Sequence, residues 1–264
     1  MKSARKFIVR NLSSGTWFDR LRRLDLYKFY GVPFLAWILG KEVVYVIHVN
    51  KTAGTSLVSS IRNLGWKAKK FFIVPLPHNV GIMDVPHRQK IAFFVRNPLT
   101  RFASGFEHVK HRGRPAYDYV LTDNEEYVFK HFQSFQELVE ATNSPEGRLN
   151  ELSVFAWSSV VHLRLNYRHY FGDIDYLRSQ LDRIVFVGEQ EDFAEDWKRF
   201  FKKFYGKEVP LEEKNVLAKH REVLPGYREA IERIHPDEFL LYEEVLRRKA
   251  QLCGEELRSA EGGS

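Results

Sequence analysis

The sequence has a single cysteine, Cys253, among its 264 residues. One thiol excludes a disulfide within the chain, so no disulfide framework holds the fold together. The N-terminal residues also lack the charged, apolar and small-residue regions of a signal peptide. Both absences are typical of proteins in a reducing compartment, and they predict a cytoplasmic location.

Long hydrophobic runs are missing as well. The apolar stretch 32–39 spans eight residues and contains Pro33, whereas a helix needs roughly 20 apolar residues to cross a bilayer. We therefore expect no transmembrane helix. Aromatic residues are abundant, with 21 Phe, 12 Tyr and five Trp, and they predict a large buried core.

Acidic residues are scarce at the start of the chain. The net charge is +7, and residues 1–40 hold eight basic but only two acidic side chains. Because the remainder is almost neutral, nucleic acid is not a predicted partner. The basic segment is also aromatic, which predicts peripheral contact with an anionic membrane at its inner face. The alternative is that the segment packs against the domain and its charges are solvated.

These shifts in composition divide the chain into three predicted parts. Residues 1–42 form the basic, aromatic N-terminal segment, and residues 43–252 form the domain. Residues 253–264 end in Gly-Gly-Ser and are predicted to be disordered.

The Walker A motif, G-x-x-x-x-G-K-[ST], is absent from the stretch between Val43 and Leu57. There Lys51 precedes the only glycine, Gly54, instead of following a second one. The stretch contains a β-branched and aromatic run, then a loop of small residues, then apolar residues at helical spacing. This order predicts a buried parallel strand, a tight loop and a helix.

The loop in this stretch has the composition of an anion site. Backbone N–H groups at a helix N-terminus lack partners within the helix and point towards a ligand. Gly54 allows close approach of the backbone, and Lys51 adds a positive charge. Hydroxyl donors are available from Thr52, Thr55 and Ser56. Together these groups suit a phosphate.

A second strand–loop–helix unit follows. Residues 91–95 predict a short apolar strand, and Arg96 comes directly after it. Asn97 and Pro98 are favoured at the N-cap and the first position of a helix. Arg96 can therefore grip a second phosphate with two parallel hydrogen bonds, and Ser104 can donate a hydroxyl from the polar side of that helix.

Further segments set the fold class. The apolar runs 71–74 and 184–187 also predict strands, and helical periodicity is found over 126–141, 147–164 and 236–252. Strands that alternate with helices predict an α/β fold with a three-layer parallel sheet flanked by helices.

The two loop motifs together resemble a known family. Val-Asn-Lys-Thr-Ala-Gly-Thr-Ser at 49–56 and Val-Arg-Asn-Pro-Leu-Thr-Arg-Phe-Ala-Ser-Gly-Phe at 95–106 are similar to the paired motifs of sulfotransferases that use 3′-phosphoadenosine 5′-phosphosulfate (PAPS). The closest branch holds the Golgi carbohydrate sulfotransferases and their bacterial relatives. Asn50 stands where that family often has proline, and Asn97 where it often has aspartate. The resemblance covers residues 43 to about 250.

The resemblance implies a P-loop-like sulfotransferase fold, PAPS as the sulfuryl donor, a carbohydrate hydroxyl as the acceptor and no required metal. It implies that Lys51 meets the bridging oxygen of the phosphosulfate and that Arg96 and Ser104 hold the 3′-phosphate. The cradle for the 5′-phosphosulfate is then made by Thr52, Ala53, Gly54, Thr55 and Ser56. For the adenine ring, 214–220 is a candidate segment.

A histidine between the two motifs is the base in similar enzymes, since imidazole can take the proton of a sugar hydroxyl near neutral pH. His78, in Leu-Pro-His-Asn-Val, is the predicted base, and His87 is the alternative. His48 is interpreted as structural. Two other functions stay open: a P-loop nucleotide kinase or hydrolase, and a non-catalytic anion-binding protein of the same fold associated with membranes. The sugar acceptor is not determined by the sequence.

Overall fold

The computed structural model of this chain describes residues 27–114, 118–144, 150–211 and 224–261. Four strands form a wholly parallel sheet in the order β2-β1-β3-β4. They are β1 (Glu42–Ile47), β2 (Phe71–Pro75), β3 (Lys90–Val95) and β4 (Ile184–Glu189). All four predicted strands are found in this sheet, so the parallel α/β class is confirmed.

Twelve α-helices flank the sheet within the described ranges. In chain order they are α1 (Val32–Ile38), α2 (Gly54–Leu64), α3 (Pro98–Lys110), α4 (Asp123–His131), α5 (Phe135–Thr142), α6 (Glu151–Ser159), α7 (Val161–Arg164), α8 (Tyr167–Phe171), α9 (Ile174–Ser179), α10 (Phe193–Tyr205), α11 (Tyr227–Ile234) and α12 (Glu238–Glu261). A π-helical turn, Tyr27–Gly31, leads into α1.

Both faces of the sheet are covered, which explains why its strands are apolar throughout. Val43 and Tyr45 of β1 belong to a buried cluster with α1, α8 and α12. Val44 and Val46 belong to another buried cluster with α2 and α10. Because neighbouring side chains of a strand point to opposite faces, the sheet lies between two layers of helices.

Beside the sheet, α3 to α7 and α11 share a third buried cluster. Phe102 and Phe106 of α3 lie within it, with ring contacts to Trp157 and Phe129. These contacts fix α3 along its length, so polar residues on its other side have defined positions.

The helices differ from the sequence prediction at three places. The segment predicted over 147–164 contains two helices, α6 and α7, because Val160 between them is extended. The segment 126–141 is two helices, because the side chains of Thr122 and Ser134 each cap a separate N-terminus. The last helix, α12, continues to Glu261, whereas the sequence predicts a helical end at 252 and disorder over 253–264.

The end of the N-terminal segment packs on the domain. Val32 and Ala36 of α1 are buried against the sheet, and the Tyr45 hydroxyl donates a 2.6 Å hydrogen bond to the carbonyl of Lys28. Packed structure therefore begins before the boundary predicted at 42. No helix in the described ranges is long and apolar enough to cross a membrane. The membrane contact predicted for residues 1–40 lies partly outside the described residues, which begin at 27. The candidate adenine segment, 214–220, lies wholly outside them.

The strand order creates a crevice at the carboxyl edge of the sheet, where the strands end. From β1 the chain moves outwards to β2 and then crosses back, so that β3 pairs with the other side of β1. At such a reversal the following loops diverge, and α/β proteins bind ligands in the gap between them. The two diverging loops are the ones that the sequence predicts to bind phosphate.

Candidate functional site

The loops after β1 and β3 meet at the carboxyl edge. The guanidinium of Arg96, directly after β3, donates from Nη1 to the backbone carbonyl of Lys51 at 3.3 Å. Its Nε donates to Thr100 Oγ1 at 3.0 Å. Arg96 therefore joins the loop of the first unit to the helix of the second, and the two predicted anion sites form one region.

The backbone of the loop after β1 is unusual. Lys51 and Ala53 have positive φ angles of 61° and 56°, a conformation that costs a non-glycine residue about 1–2 kcal/mol. Ala53 is the residue before α2, and among the described residues no side chain caps this helix. Successive N–H groups in such a turn form an anion-binding concavity. The loop thus holds two residues in a strained backbone conformation, and strain of this kind is concentrated at binding and active sites.

The three predicted hydroxyl donors of this loop differ in position. Thr52 is buried, and its Oγ1 donates to the carbonyl of Val49 at 2.9 Å, so this hydroxyl shapes the loop. Ser56 is buried in the first turn of α2, whereas Thr55 is exposed. The cradle is therefore mainly a backbone feature, and its charge comes from Lys51.

Gly54 begins α2 in close contact with the imidazole of His48. A Cβ added at Gly54 would lie 2.1 Å from His48 Cδ2, so a side chain is excluded here by a neighbouring side chain. His48 in turn packs against His78, with ring centroids 3.6 Å apart and the rings tilted by 33°. Gly54, His48 and His78 form one packed series, the histidine column.

His78 is the outer member of the histidine column and is exposed to solvent. Its Nδ1 lies 3.2 Å from the backbone carbonyl oxygen of His48. Since a carbonyl can only accept, neutral His78 carries its proton on Nδ1 and its lone pair on Nε2. This tautomer leaves Nε2 able to take a proton, as a general base does.

Both rings of the column favour the neutral form. Burial lowers the pKa of His48 to about 3. Although His78 is exposed, the protein atoms packed around its ring displace part of its water and lower its pKa; the hydrogen bond to the His48 carbonyl opposes that shift, and the positive charge of Lys51 adds to it. His78 is therefore unprotonated at neutral pH.

His87, the alternative base, lies at the opposite edge of the sheet. It occupies the exposed turn that precedes β3, whereas Lys51 follows β1, which runs parallel to β3. The six residues of β3 separate the two edges by about 20 Å, at roughly 3.3 Å per residue. The structure brings His78, and not His87, to the edge where Lys51 lies.

The second unit uses side chains where the first uses backbone. Asn97 caps α3, as predicted, and its side chain accepts a 3.0 Å hydrogen bond from the first turn. Arg96 is largely buried, and its backbone N and O both bond to the Tyr167 hydroxyl. Ser104 lies one turn beyond Thr100, on the same side of α3. Arg96, Thr100 and Ser104 thus form a row along the crevice.

A carboxylate also reaches this row. Glu191 follows β4, and its Oε1 accepts from the backbone N of Asn97 at 3.1 Å and from the Thr100 hydroxyl at 3.4 Å. Thr100 is also the partner of Arg96 Nε, so a negative charge lies close to the guanidinium. This charge opposes the binding of an anion. The sequence analysis did not predict a carboxylate at this position.

Two histidines that the sequence did not single out lie in the same region. His108 is one turn beyond Ser104 on α3, and its ring centroid is 5.5 Å from that of His162 on α7. Burial, and then the positive charge of Lys51, lower the pKa of His108 to about 4 and that of His162 well below its usual value. Asn50, the residue before Lys51, donates from Nδ2 to the backbone carbonyl of His162 at 3.2 Å, so both rings lie near the loop after β1.

A buried polar chain, the buried relay, orients His162. Glu238 of α12 forms an ion pair with Arg101 of α3, and both side chains are buried. Arg101 Nη1 donates to Asn50 Oδ1 at 2.6 Å. Asn50 therefore presents its Nδ2 to His162 Nδ1, 3.3 Å away. Because that Nδ1 accepts, neutral His162 carries its proton on Nε2 and is a donor there, the reverse of His78.

Comparison with known proteins adds no relative to this picture. The chain shows no significant match to a protein-family model, a curated protein or a solved structure. Among the described residues, no group of three or more His, Cys, Asp or Glu side chains could hold a metal ion. The function is therefore argued from the site and its motifs.

Proposed function

We propose that the chain is a PAPS-dependent sulfotransferase that acts on a hydroxyl of a carbohydrate, with a P-loop-like fold. One observation carries this proposal: the cradle with Lys51, the available Nε2 of His78 and the guanidinium of Arg96 lie at one edge of the sheet. The motifs that resemble the sulfotransferase family contain Lys51 and Arg96, and His78 lies in the segment between those motifs.

The donor lies across the loops after β1 and β3. N–H groups of residues 52–56 bind the 5′-phosphosulfate, and Lys51 meets the oxygen that bridges phosphorus and sulfur. Arg96 and Ser104 bind the 3′-phosphate. The buried relay supports this arrangement because it holds Asn50, which precedes the cradle, in a fixed orientation.

The transfer step needs a base and a stabilised leaving group. The acceptor oxygen attacks sulfur in line while the bond from sulfur to the bridging oxygen breaks. The hydroxyl proton passes to Nε2 of His78, and the electron pair of the broken bond stays on the 5′-phosphate. Lys51 and the cradle N–H groups stabilise that charge. The products are a sulfate ester and 3′-phosphoadenosine 5′-phosphate (PAP), and the Nε2–H of His162 is suited to bind an acceptor or sulfuryl oxygen.

Incubation with sulfur-labelled PAPS and a panel of glycans tests this proposal. We expect the wild type to label a glycan and to release PAP. Lys51→Ala should lower kcat far more than it weakens PAP binding, because its charge acts mainly on the leaving group. His87→Ala is a matched control and should keep full activity. Equal label transfer by the wild type and Lys51→Ala would contradict the proposal.

Two other results would indicate a different function. Hydrolysis of ATP or GTP that depends on Mg²⁺, without PAPS turnover, would indicate a nucleotide kinase or hydrolase. PAP binding without turnover on any acceptor would indicate a non-catalytic anion-binding protein.

A further inference from the structure

Helix α1 and the turns beside it carry a dense group of exposed apolar side chains. The aromatic patch consists of Tyr30, Phe34, Trp37, Ile38 and Leu39, each more than half exposed. Trp37 is 77% exposed and Phe34 is 62% exposed, and their ring centroids are 6.1 Å apart. Contiguous exposed apolar surface of this kind marks an interaction site.

The packing of α1 holds the aromatic patch outwards. Val32 and Ala36, on the other side of the helix, are already buried in the core. Lys41 fixes the end of the helix, because its backbone N donates to the Ala36 carbonyl at 2.8 Å and its Nζ donates to the Ala68 carbonyl at 2.9 Å. The helix cannot rotate its exposed side inwards without losing these contacts.

Basic residues adjoin the patch. The loop that Lys41 contacts carries Lys67, Lys69 and Lys70, all exposed. Residues 1–26, which precede the patch in the chain, hold seven basic and two acidic side chains. An exposed apolar surface with lysines beside it is complementary to anionic lipid, in which acyl chains lie beneath phosphate groups.

We propose that the aromatic patch docks on the surface of an anionic lipid bilayer. Trp and Tyr rings favour the boundary between headgroups and acyl chains, and the lysines contact phosphate groups. The seven residues of α1 lie on the bilayer. Helix α1 packs on a face of the sheet and ends just before β1 at the amino edge, opposite the edge at which the loops after β1 and β3 lie. Docking therefore leaves the proposed donor site open and does not depend on the proposed function.

Co-sedimentation of the full chain with vesicles tests the proposal. With equimolar phosphatidylcholine and phosphatidylserine, we expect Phe34→Ser/Trp37→Ser to bind at least about tenfold more weakly than the wild type, because two large apolar side chains no longer leave water. Val120→Ser/Leu257→Ser replaces two equally exposed apolar residues elsewhere and should bind as the wild type does. Binding should weaken, but persist, at high salt.

Three results would overturn the proposal. The first is no binding to these vesicles, or equal binding by wild type and Phe34→Ser/Trp37→Ser. The second is a wild-type dimer, seen by sedimentation velocity, that the same double substitution dissociates, since a second copy would then cover the patch. The third is that Trp37 is already shielded from acrylamide without vesicles, measured as the difference in quenching between wild type and Trp37→Phe.

Discussion

The two strand–loop–helix units hold their helix N-termini differently. In the first, Ala53 takes a left-handed conformation and, among the described residues, no side chain caps α2. In the second, Asn97 caps α3, and the adjacent Arg96 offers a guanidinium instead. A rigid backbone cradle suits the group that reacts, whereas a planar fork suits a group that is only held. We therefore expect changes in the first unit to alter the rate and changes in the second to alter donor affinity.

The two units also differ in which parts of the site they hold in place. The second unit holds the first through the bond from Arg96 to the Lys51 carbonyl and through the bond from Arg101 to Asn50. The first unit instead supports the histidine column, because Gly54 and His48 pack beside His78. Substitutions in α3 should thus disturb both units, whereas substitutions in the histidine column should disturb only the first.

The largest expected effect is on the base. His78→Ala should lower kcat by roughly 10²–10⁴, the usual contribution of a general base, while PAP affinity measured by calorimetry stays near the wild-type value. Because the pKa of His78 is lowered from 6.5, the unprotonated base persists below that pH. The kcat/KM of the wild type should therefore fall only as the pH drops through this lowered pKa, and the variant should lose that dependence.

His87→Ala and His108→Ala are the controls for this prediction. His87 lies at the amino edge and should be silent. If His108→Ala removes the acid limb of the pH profile and His78→Ala does not, the base belongs to α3 and the division of labour between the units is wrong.

Next in size is the buried relay. Arg101→Leu should destabilise the fold by about 3–5 kcal/mol, because the buried carboxylate of Glu238 loses its partner. Denaturant unfolding measures the loss. Arg101→Leu/Glu238→Leu should recover much of it, since no buried charge is left unpaired. Lys90→Ala breaks the exposed pair with Glu42 and should cost only about 0–1 kcal/mol.

Arg96→Ala should weaken PAP binding by about 2–4 kcal/mol through the loss of charge-assisted hydrogen bonds. AMP, which lacks the 3′-phosphate, should lose much less affinity, and this difference measures the contact with that phosphate. Arg96→Lys keeps the positive charge but not the planar guanidinium, so its PAP affinity should lie between those of the wild type and Arg96→Ala. Arg88→Ala, at an exposed turn of the amino edge, is the control. An unchanged PAP affinity in Arg96→Ala would remove this residue from the site.

Gly54→Ala tests the histidine column. The added methyl would overlap the His48 ring, and that ring already packs against His78, so we expect a loss of about 1–3 kcal/mol in stability with a lower kcat. Gly54→Ala/His48→Ala should regain stability relative to Gly54→Ala, because the overlap is gone. Gly254→Ala, which meets no atom within 4 Å on α12, should be neutral or slightly stabilising.

The sequence predicts the elements and motifs that local pattern determines. Short apolar runs followed by small or capping residues identify β1, β3 and their loops. Arg96 comes directly after β3, and Lys51 lies four residues after the end of β1. His108 could have been found, because it lies four residues after Ser104 on one helical face. The hydroxyl of Thr52 could not be oriented from sequence, since its partner is a backbone carbonyl within the same turn.

The missed residues depend on packing between distant segments. His162 and Tyr167 lie on α7 and α8, which have only four and five residues and therefore no readable periodicity. Glu191 reaches the site because Val95 pairs with Glu189, which brings the residues after β4 beside those after β3. Such a register is a tertiary property that no local pattern in the sequence records.

The smallest expected effect comes from Glu191, which follows β4 and whose carboxylate contacts only the second unit among the two. Glu191→Gln keeps an acceptor for the backbone N of Asn97 but removes a negative charge near Arg96. PAP affinity should therefore rise by about 0.5–1 kcal/mol, the scale of an exposed charge interaction, and the gain should shrink with added salt. AMP affinity and kcat should not change, because neither involves the 3′-phosphate. Glu195→Gln, exposed on α10, is the matched control. A gain in kcat without a gain in PAP affinity would mean that the second unit takes part in the reaction, and the contrast between the two units would then fail.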